Sequence, residues 1–407
     1  MAKNQLISSI DVGTTKVCTT VAEVNADGAL RVVGVGITPS DGMHKGMVVN
    51  INEAKDSIRE SVRKAEQACG YRVESAYVGV TGRHVTSLNN HGVVSITRGD
   101  RMVRTDDLRR VVQSSQSIKV PNDRKLLHVI PRTFAVDGQT TVKNPVGMHG
   151  YRLDVETHVI TAGVSSVQNL AKCIRGVGID IDELVLEPLA SAEAVLTEEE
   201  KSVGTVLADI GGGTTDIAVF RDGAIWHTAV LPVAGYQLTR DIAIGLGLPF
   251  DVAEEMKKKY GSVMPLYDGK IDSGTMVGNG HRASYQDLCD ILRARVEELL
   301  RLTILELPRS EYKSLVPGGL VLTGGSSNLS GMDVLGRDML KMPVRIGSPL
   351  NMQGIAEALR DPSYATGVGL LLWGAKLRRS ALSRPRRGLF GNRIKKLVTQ
   401  FAGLFRQ

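Results

Sequence analysis

The sequence predicts an α/β fold built from two related halves. Two strand–turn–strand segments of similar sequence lie 198 residues apart, DVGTTK at residues 11–16 and DIGGGTTD at residues 209–216. A third glycine turn, LTGGSS at residues 322–327, also follows a hydrophobic strand. Because the same strand-and-turn device occurs twice at a long, fixed separation, we expect two half-domains that share one architecture.

The first half is predicted to open with paired strands and a helix. Alternating and hydrophobic runs predict strands at residues 5–11, 17–24 and 76–82, and a helix from about residue 52 to residue 70. A segment of mixed character follows at residues 83–162, with short strands and one helix, before the α/β pattern resumes.

The second half repeats the opening of the first and then becomes helical. A strand–turn–strand is predicted at residues 203–220, a mostly helical region at 237–313, and a strand with a glycine turn at 317–331. We expect the folded part to end near Lys376, followed by a basic linker at residues 376–387 and a closing segment at 388–407.

Composition is that of an ordinary globular protein, with 42% hydrophobic and 23% charged residues in a chain of 407. No run approaches the roughly 18 apolar residues of a membrane-spanning helix, and the first residues do not form a signal peptide. The four cysteines are far apart and lack metal-ligand spacing. These features predict a cytosolic protein with reduced thiols.

Charge is distributed unevenly along the chain. Residues 376–407 contain ten Lys or Arg and no acidic residue, whereas residues 1–375 contain 40 basic and 43 acidic side chains. A slightly acidic body with a strongly basic tail predicts that the tail seeks an anionic surface, either nucleic acid or lipid headgroups.

The two repeated turns have the composition of loops that grip phosphate. Glycine exposes backbone N–H groups, Thr hydroxyls add donors, and an adjacent Asp can hold the water shell of Mg²⁺. An ordinary hairpin turn would explain either loop alone, but two matched copies favour phosphate binding. The candidate residues are Asp11, Gly13, Thr14, Thr15 and Lys16 in the first loop, and Asp209, Gly211, Gly212, Gly213, Thr214, Thr215 and Asp216 in the second.

Other nucleotide motifs are absent from the sequence. It contains no GxxxxGK[ST] loop, and no GxGxxG follows a strand and opens a helix, which argues against Walker and Rossmann sites. In the third glycine turn, Gly324, Gly325 and Ser326 would let a base or ribose approach the backbone. Small residues at 187–192 and 365–369 predict two helices that cross closely, as a hinge between lobes requires.

These five elements, in this order, resemble the actin and heat-shock-chaperone ATPase superfamily. Within it, the sequence is similar to the FtsA family of bacterial cell-division proteins. The resemblance rests on GRH at residues 82–84, VDG at 136–138, NPVGM at 144–148 and the tail, GLFGNRIKKLVTQF. It covers essentially the whole chain.

The resemblance implies an actin-like, ribonuclease H-like duplicated ATPase fold with a small inserted α+β subdomain and a C-terminal amphipathic helix. The expected parts are a first-lobe base (1–82, 163–203 and 365–375), the insert (83–162), a second-lobe base (204–236 and 314–364), a helical subdomain (237–313), the basic linker (376–387) and a membrane-targeting helix (388–407).

The resemblance also implies ATP and Mg²⁺ as ligands between the lobes. Gly235, in a segment where FtsA proteins often have a Gly–Gly pair, would contact the base, with Glu254, Glu255 and Lys258 bordering the adenine. Glu187 would orient the attacking water of a slow hydrolysis, with Asp209 supporting it through Mg²⁺ and Asp11 also holding that ion through water. A first-turn glutamate favoured by the helix dipole explains Glu187 equally well.

The implied partners are the C-terminal peptide of FtsZ, bound near residues 237–313, other division proteins, and further copies of the chain in a filament. The implied location is the cytoplasmic face of the membrane at the division septum.

Read on its own, the closing segment predicts an interfacial helix. Apolar side chains recur at three- and four-residue steps and basic ones lie off that face, which favours a lipid surface over nucleic acid. The candidate membrane contacts are Leu389, Phe390, Arg393, Ile394, Lys395, Lys396, Leu397, Val398, Phe401, Leu404 and Phe405.

Three alternatives share the predicted fold. A pilus-assembly ATPase of the PilM kind and the filament protein MreB fit less well, since neither explains the tail and MreB does not explain the insert. A sugar or acetate kinase would need a base for a substrate hydroxyl, and the sequence offers no convincing one.

Overall fold

A computed structural model describes residues 5–25, 29–117, 119–264, 275–278, 281–307, 316–350, 353–354 and 358–382. In chain order the strands are β1 (Gln5–Val12), β2 (Lys16–Val24), β3 (Leu30–Pro39), β4 (Met43–His44), β5 (Met47–Val48), β6 (Ser75–Val80), β7 (Val85–Ser95), β8 (Arg124–Val136), β9 (Gln139–Val142), β10 (Arg152–Gly163), β11 (Asp180–Leu186), β12 (Thr205–Ile210), β13 (Thr215–Arg221), β14 (Ala224–Leu231), β15 (Thr275–Gly278), β16 (His281–Ser284), β17 (Leu320–Thr323), β18 (Val344–Ile346) and β19 (Gln353–Gly354).

The described residues form ten α-helices and three short 3₁₀ turns. The helices are α1 (Ile51–Cys69), α2 (Thr105–Ser115), α3 (Val164–Arg175), α4 (Glu187–Val195), α5 (Glu198–Val203), α6 (Gly235–Gly245), α7 (Phe250–Tyr260), α8 (Tyr285–Leu305), α9 (Met332–Leu340) and α10 (Ala365–Leu382). The 3₁₀ turns are Gly325–Asn328, Ala358–Arg360 and Pro362–Tyr364.

Two sheets with the same topology form the centres of the two lobes. The first has the order β11-β6-β1-β2-β3-β19 and the second the order β14-β13-β12-β17-β18. In the first sheet, β1, β2 and β3 are antiparallel neighbours, and β6 and β11 run parallel to β1. In the second sheet, β12, β13 and β14 are antiparallel neighbours, and β17 and β18 run parallel to β12. Asp11 pairs with Cys18 in one sheet, and Asp209 pairs with Asp216 at the equivalent place in the other. The predicted duplication is confirmed strand by strand.

Helix α1 lies unusually close to strand β3. Asn50 caps its start by accepting from the Asn52 and Glu53 amides, and Gly70 in the left-handed conformation ends it. A Cβ atom at Gly36 would lie 1.9 Å from the Ser61 carbonyl oxygen, so glycine there is what allows the helix to reach the sheet.

The predicted insert is a separate small α+β unit. Strands β7-β10-β8-β9 form an antiparallel sheet covered by α2, around a core of its own. Its sheet also touches the second lobe, because Ser87 Oγ donates to the Thr228 carbonyl at 2.8 Å and the Arg132 guanidinium stacks on Trp226 at 4.1 Å. The insert therefore contacts both lobes.

The region predicted as mostly helical, 237–313, contains most of α6 with all of α7 and α8, and the short hairpin β15–β16. One detail of the predicted division of the chain was wrong. Strand β19, predicted within the second lobe, instead pairs in parallel with β3 of the first sheet. A two-residue strand carries no periodic signal, so its partner depends on the tertiary fold alone.

Helices α4 and α10 cross between the two sheets, as the small residues predicted. A Cβ atom at Gly369 would lie 1.8 Å from the Ala190 carbonyl oxygen. Residues of both helices share one hydrophobic core with the first sheet and with Leu207, Phe220 and Val321 of the second. The crossing therefore joins the lobes.

The folded part extends past the predicted boundary at Lys376, because α10 continues to Leu382. Lys376 Nζ bonds Glu193 at 3.2 Å, and Arg378 donates to the Leu6 carbonyl at 2.6 Å. The first basic residues of the predicted linker thus hold α10 to the body. The predicted membrane-targeting helix, 388–407, lies outside the described residues. Within the described part, no helix is long and apolar enough to cross a membrane.

Replacing Gly369 by Ala should separate the crossing helices, because the new methyl group would overlap the Ala190 carbonyl. We expect the free energy of unfolding in urea to fall by about 1–3 kcal/mol. Gly99→Ala is the matched control, since nothing lies within 4 Å of a Cβ there. Equal stability of the two variants would show that the helices are not in close contact.

Candidate nucleotide-binding cleft

The two repeated loops face each other across a cleft between the lobes. Each is closed by one backbone bond, Gly13 N–H to the Lys16 carbonyl at 3.1 Å and Gly211 N–H to the Thr214 carbonyl at 2.9 Å. A Cβ atom at Gly212 would lie 2.3 Å from Thr15 Cγ2. Glycine is therefore required in the second loop for the first loop to approach.

The cleft has a volume of about 1040 Å³, at the upper end of the roughly 300–1,000 Å³ typical of ligand pockets. It is lined by most of the residues that the sequence nominated: Asp11, Gly13, Thr14, Thr15, Lys16, Glu187, Asp209, Gly211, Gly212, Gly213, Thr214, Gly235, Glu254, Lys258, Gly324, Gly325 and Ser326.

Two nominated residues do not line the cleft. Thr215 is buried at the start of β13, and its hydroxyl donates to the Val233 carbonyl at 2.7 Å. Glu255 lies on the solvent face of α7, whereas Glu254 and Lys257, three residues apart, share the inner face. The structure therefore does not bring these two predicted nucleotide contacts to the cleft, because a residue's place in a motif does not fix the direction of its side chain.

The third glycine turn closes over the second loop. Gly324 has a φ of +83°, and a Cβ atom there would lie 2.3 Å from Asp209 Oδ1. Ser326 Oγ donates to the Gly211 carbonyl at 2.7 Å, and the same carbonyl accepts from the Gly235 amide at 3.1 Å. These bonds join three parts of the sequence into one wall of the cleft.

Lys257 was not predicted but is central to this wall. Its ammonium group donates to the Gly235 carbonyl at 3.2 Å, to Thr239 Oγ1 at 2.8 Å and to Glu254 Oε2 at 2.7 Å. The Glu254–Lys257 spacing on α7 was the available signal. Lys258 also pairs with Glu254, at 3.1 Å, but its side chain is 72% exposed.

Lys16 lies against the segment that precedes α10. Its ammonium group donates to Ser363 Oγ at 2.7 Å and stands 3.6 Å from the centre of the Tyr364 ring. Asp361 accepts from the Ser363 amide at 2.8 Å and from Asn328 at 2.9 Å, which fixes this segment. No sequence signal indicated the contacts of Lys16, since its partners lie more than 300 residues away.

Four carboxyl groups meet under the loops and are short of positive charge. Burial raises the pKa of Asp11 to about 7 and of Asp216 to about 7, and it raises the pKa of Glu187 and Asp209 as well. Lys16 opposes the shift at Asp11 and Asp209. Acidic groups thus cluster where the loops meet, in surroundings that disfavour their charged form.

Hydrogen bonds orient two of these carboxylates. Asp209 Oδ2 accepts from Ser191 on α4 and from Thr366 on α10, the latter at 3.1 Å. Asp216 Oδ1 accepts from Thr81 at 2.5 Å, which ties the end of the second loop to the first lobe. Asp209 therefore connects the phosphate loop directly to the helix crossing.

The donor set suits Mg²⁺ held through its bound waters. Magnesium prefers oxygen ligands, keeps several waters and needs only one or two carboxylates. Among the described residues, no group of three or more His, Cys, Asp or Glu side chains is arranged to coordinate a metal directly. Asp11 and Asp209 could hold the hydrated ion, and its charge would offset the excess of buried carboxylates.

Glu187 begins α4 at the wall of the cleft. Its side chain passes over strand β6, where a Cβ atom at Gly79 would lie 3.0 Å from Glu187 Cγ. The residue is 8% exposed and faces the cleft. The position suits a group that orients a water beside a bound phosphate.

Two parts of the chain match models of known protein families. Residues 82–161 match the family model described as "SHS2 domain inserted in FTSA", and residues 206–369 match "Cell division protein FtsA". The cell division protein FtsA of Pseudomonas aeruginosa is 44% identical, over 93% of this chain and 91% of the relative. The chain belongs to the FtsA family.

Further relatives support that assignment. FtsA of Bacillus subtilis is 38% identical over 92% of this chain and 85% of its own length, and FtsA of Escherichia coli K12 is 35% identical over 91% and 90%. The predicted family is confirmed, and with it a role in cell division.

Solved structures show the same fold at low identity. A PilM–PilN type IV pilus biogenesis complex matches with a TM-score of 0.64 and 20% identity, over 91% of this chain and 98% of that one. MreB5 of Spiroplasma citri bound to ADP matches with a TM-score of 0.57 and 15% identity, over 93% and 99%. The predicted actin-like ATPase fold with its FtsA-type insert is confirmed.

The nucleotide-free protein should lose stability as pH rises. The folded state binds the Asp11 and Asp216 protons more tightly than the unfolded chain does, because burial raises both pKa values from 3.8 to about 7. The stabilisation of the folded state by these two protons is complete below about pH 4 and is lost as the pH rises through 7.

The measurement is the thermal midpoint of unfolding between pH 4 and pH 8 without nucleotide or Mg²⁺. Asp216→Asn should make the profile flatter, while Asp222→Asn, at an exposed turn, should leave it unchanged. Superimposable profiles for wild type and Asp216→Asn would show that burial of this carboxyl costs nothing.

Proposed function

We propose that this protein binds Mg–ATP between its two lobes. The observation that carries the proposal is the pair of equivalent glycine loops that face each other across the cleft, with a third glycine turn closing one wall. Backbone amides of residues 14–15 and 212–213, with the hydroxyls of Thr14 and Thr15, are the donors available to phosphate oxygens. MreB5, which shares the fold, is described bound to ADP.

Lys16 would move from its contact with Ser363 to the phosphates. Lys16 carries the only ammonium group among the described residues of the first loop. Burial lowers the pKa of Lys16, and the charge of Asp11 raises it. Phosphate charge would favour the protonated form further. On the other wall, Gly235, Glu254 and Lys257 would border the ribose and base.

Slow hydrolysis is the reaction that the site supports. In this proposal Glu187 orients a water for attack on the terminal phosphate. When bound, Mg²⁺ would neutralise charge on the phosphates. A kinase reaction would require a second substrate beside a general base. Membership in the FtsA family favours a role in cell division instead.

The finer cellular role rests on the family and on the tail. We propose that the protein polymerises at the inner face of the cytoplasmic membrane, at the division septum, binds the C-terminal peptide of FtsZ near residues 237–313, and tethers FtsZ filaments there together with other division proteins. Nucleic acid has no part in this role.

The tail is expected to bind lipid weakly as a single copy. About eight apolar side chains half-inserted at roughly 1 kcal/mol each, and about 1 kcal/mol for each nearby cation, are opposed by ordering of the segment and loss of motion. Many tails on one filament would bind much more tightly through avidity. Polymerisation and membrane binding would therefore be coupled.

Lys16→Ala should weaken ATP binding about 10- to 100-fold, because it removes a charged hydrogen bond worth roughly 1.5–3 kcal/mol. The dissociation constant of a fluorescent ATP analogue measures this. Lys172→Ala, on the exposed side of α3, is the charge-matched control. Unchanged affinity in the Lys16 variant would place the phosphates elsewhere.

Deleting residues 388–407 should abolish cosedimentation with anionic liposomes and leave ATP affinity unchanged. With the full chain and ATP, a peptide that copies the FtsZ tail should pellet with the lipid, and the deletion should release both. If the protein pellets and the peptide stays in solution, the proposed FtsZ contact is wrong. Equal liposome affinity of monomer and polymer would refute the coupling.

A further inference from the structure

The insert makes a direct hydrogen bond to the chain segment that carries Glu187. His128, on β8 of the insert, is 1% exposed, and its Nε2 atom accepts from the Leu186 amide at 3.1 Å. Leu186 is the last residue of β11 and the cap of α4, so the next residue is Glu187. The bond thus reaches the backbone one residue before the cleft.

The hydrogen bond from the Leu186 amide to His128 lies at the start of α4, where a side-chain cap is missing. No side chain caps the start of α4, and Pro188 occupies its first turn. Because a cap side chain usually fixes the angle at which the chain enters a helix, its absence leaves the His128 bond as an external anchor. This bond and the pairing of Leu186 with Val80 together hold the backbone from which Glu187 leaves the strand.

The His128 ring is held so that it can only accept at Nε2. It packs edge-on against Trp373 of α10, with ring centres 5.7 Å apart. Burial lowers its pKa to about 3, so the neutral ring persists across the physiological range. Rotation of the ring would break the contact with Trp373, and protonation of Nε2 would break the bond to Leu186.

A second histidine of the insert lies near the same glutamate. His84 and Glu187 both line a small cavity of about 10 Å³, close to the volume that one water needs. Within the described structure, neither ring nitrogen of His84 has a hydrogen-bond partner, and both are buried. The side of Glu187 away from the cleft is therefore formed partly by the insert.

We propose that His128 is a positioning residue for Glu187, so that the placement of the insert sets the rate of ATP hydrolysis. This inference rests on the proposed ATPase function. A displacement of β8 relative to the first sheet moves the Leu186 amide, and with it the carboxylate that orients water. Proteins or chain copies that contact the insert would thereby change hydrolysis without touching the cleft.

The chain offers a matched control in His158. It lies on β10 of the same sheet, is also 1% exposed, and burial also lowers its pKa to about 3. Its ring bonds Asn89 at 2.7 Å and Thr228 at 3.0 Å, so it anchors the insert to the second lobe instead. Loss of this ring removes a buried acceptor without touching α4, and the insert keeps its Ser87 and Arg132 contacts with the second lobe, so β8 stays in place.

The experiment compares single-turnover ATP hydrolysis and ATP affinity in the full-length protein. His128→Phe keeps a ring against Trp373 but lacks the acceptor, and we expect the hydrolysis rate to fall about 10- to 100-fold. ATP affinity should change by less than roughly threefold. His128→Gln, whose carbonyl can accept from the amide, should restore most of the rate, and His158→Phe should hydrolyse ATP like the wild type.

Two further measurements separate positioning from general damage. In a Glu187→Ala background, His128→Phe should cause no additional loss, because both changes act on the same group. Hydrogen exchange of the Leu186 amide should accelerate in His128→Phe and not in His158→Phe. If His128→Phe does not fold, His128→Asn, which is too short to reach the amide, takes its place.

Each other outcome overturns the inference. A normal rate in His128→Phe, an equal loss in His158→Phe, or parallel losses of rate and affinity would show that His128 is structural only. A wild-type protein that binds ATP without hydrolysing it would refute the inference while leaving ATP binding intact. A wild-type protein that binds no ATP would refute the proposed function itself.

Discussion

The geometry of the cleft depends on the crossing of α4 and α10 at Ala190 and Gly369. These helices connect the two sheets, so the distance between their axes sets the distance between the two phosphate loops. Hydrogen bonds from Ser191 and Thr366 to Asp209 then fix the second loop to the crossing itself. Because a side chain at position 369 would overlap a backbone carbonyl, the lobes can approach this closely only with glycine there.

The carboxylates beneath the loops set the electrostatic character of the site. Four acidic groups are buried together with one lysine nearby, which is costly until a cation or a ligand that brings one arrives. A bound cation would offset the free energy lost when these carboxyl groups were removed from water. Under the proposed function, a site built in this way would favour a magnesium complex of the nucleotide over the bare anion, which would meet like charge.

The sequence predicted those parts of the fold whose signals are local. Both phosphate loops, the third glycine turn and the small residues of the helix crossing could be found because each is a short motif beside a hydrophobic strand. The contact of Lys16 with Ser363 and the pairing of β19 with β3 could not be found, since each joins residues distant in sequence. Lys257 was missed although it lies three residues from Glu254 on the same helix. Thr215 and Glu255 were nominated because they belong to a motif, but their side chains do not point into the cleft.

Helix α10 starts at the cleft and ends at the point where the chain continues toward the basic tail. Its 18 residues span about 27 Å at 1.5 Å per residue, with Thr366 bonded to Asp209 at one end and Leu382 at the other. Because Lys376 and Arg378 hold the far end to Glu193 and Leu6, the helix moves together with the first lobe, and a rotation of that lobe by about 5° displaces the far end by about 2 Å. Lobe closure around a ligand would thus be converted into movement of the point from which the chain continues toward the tail.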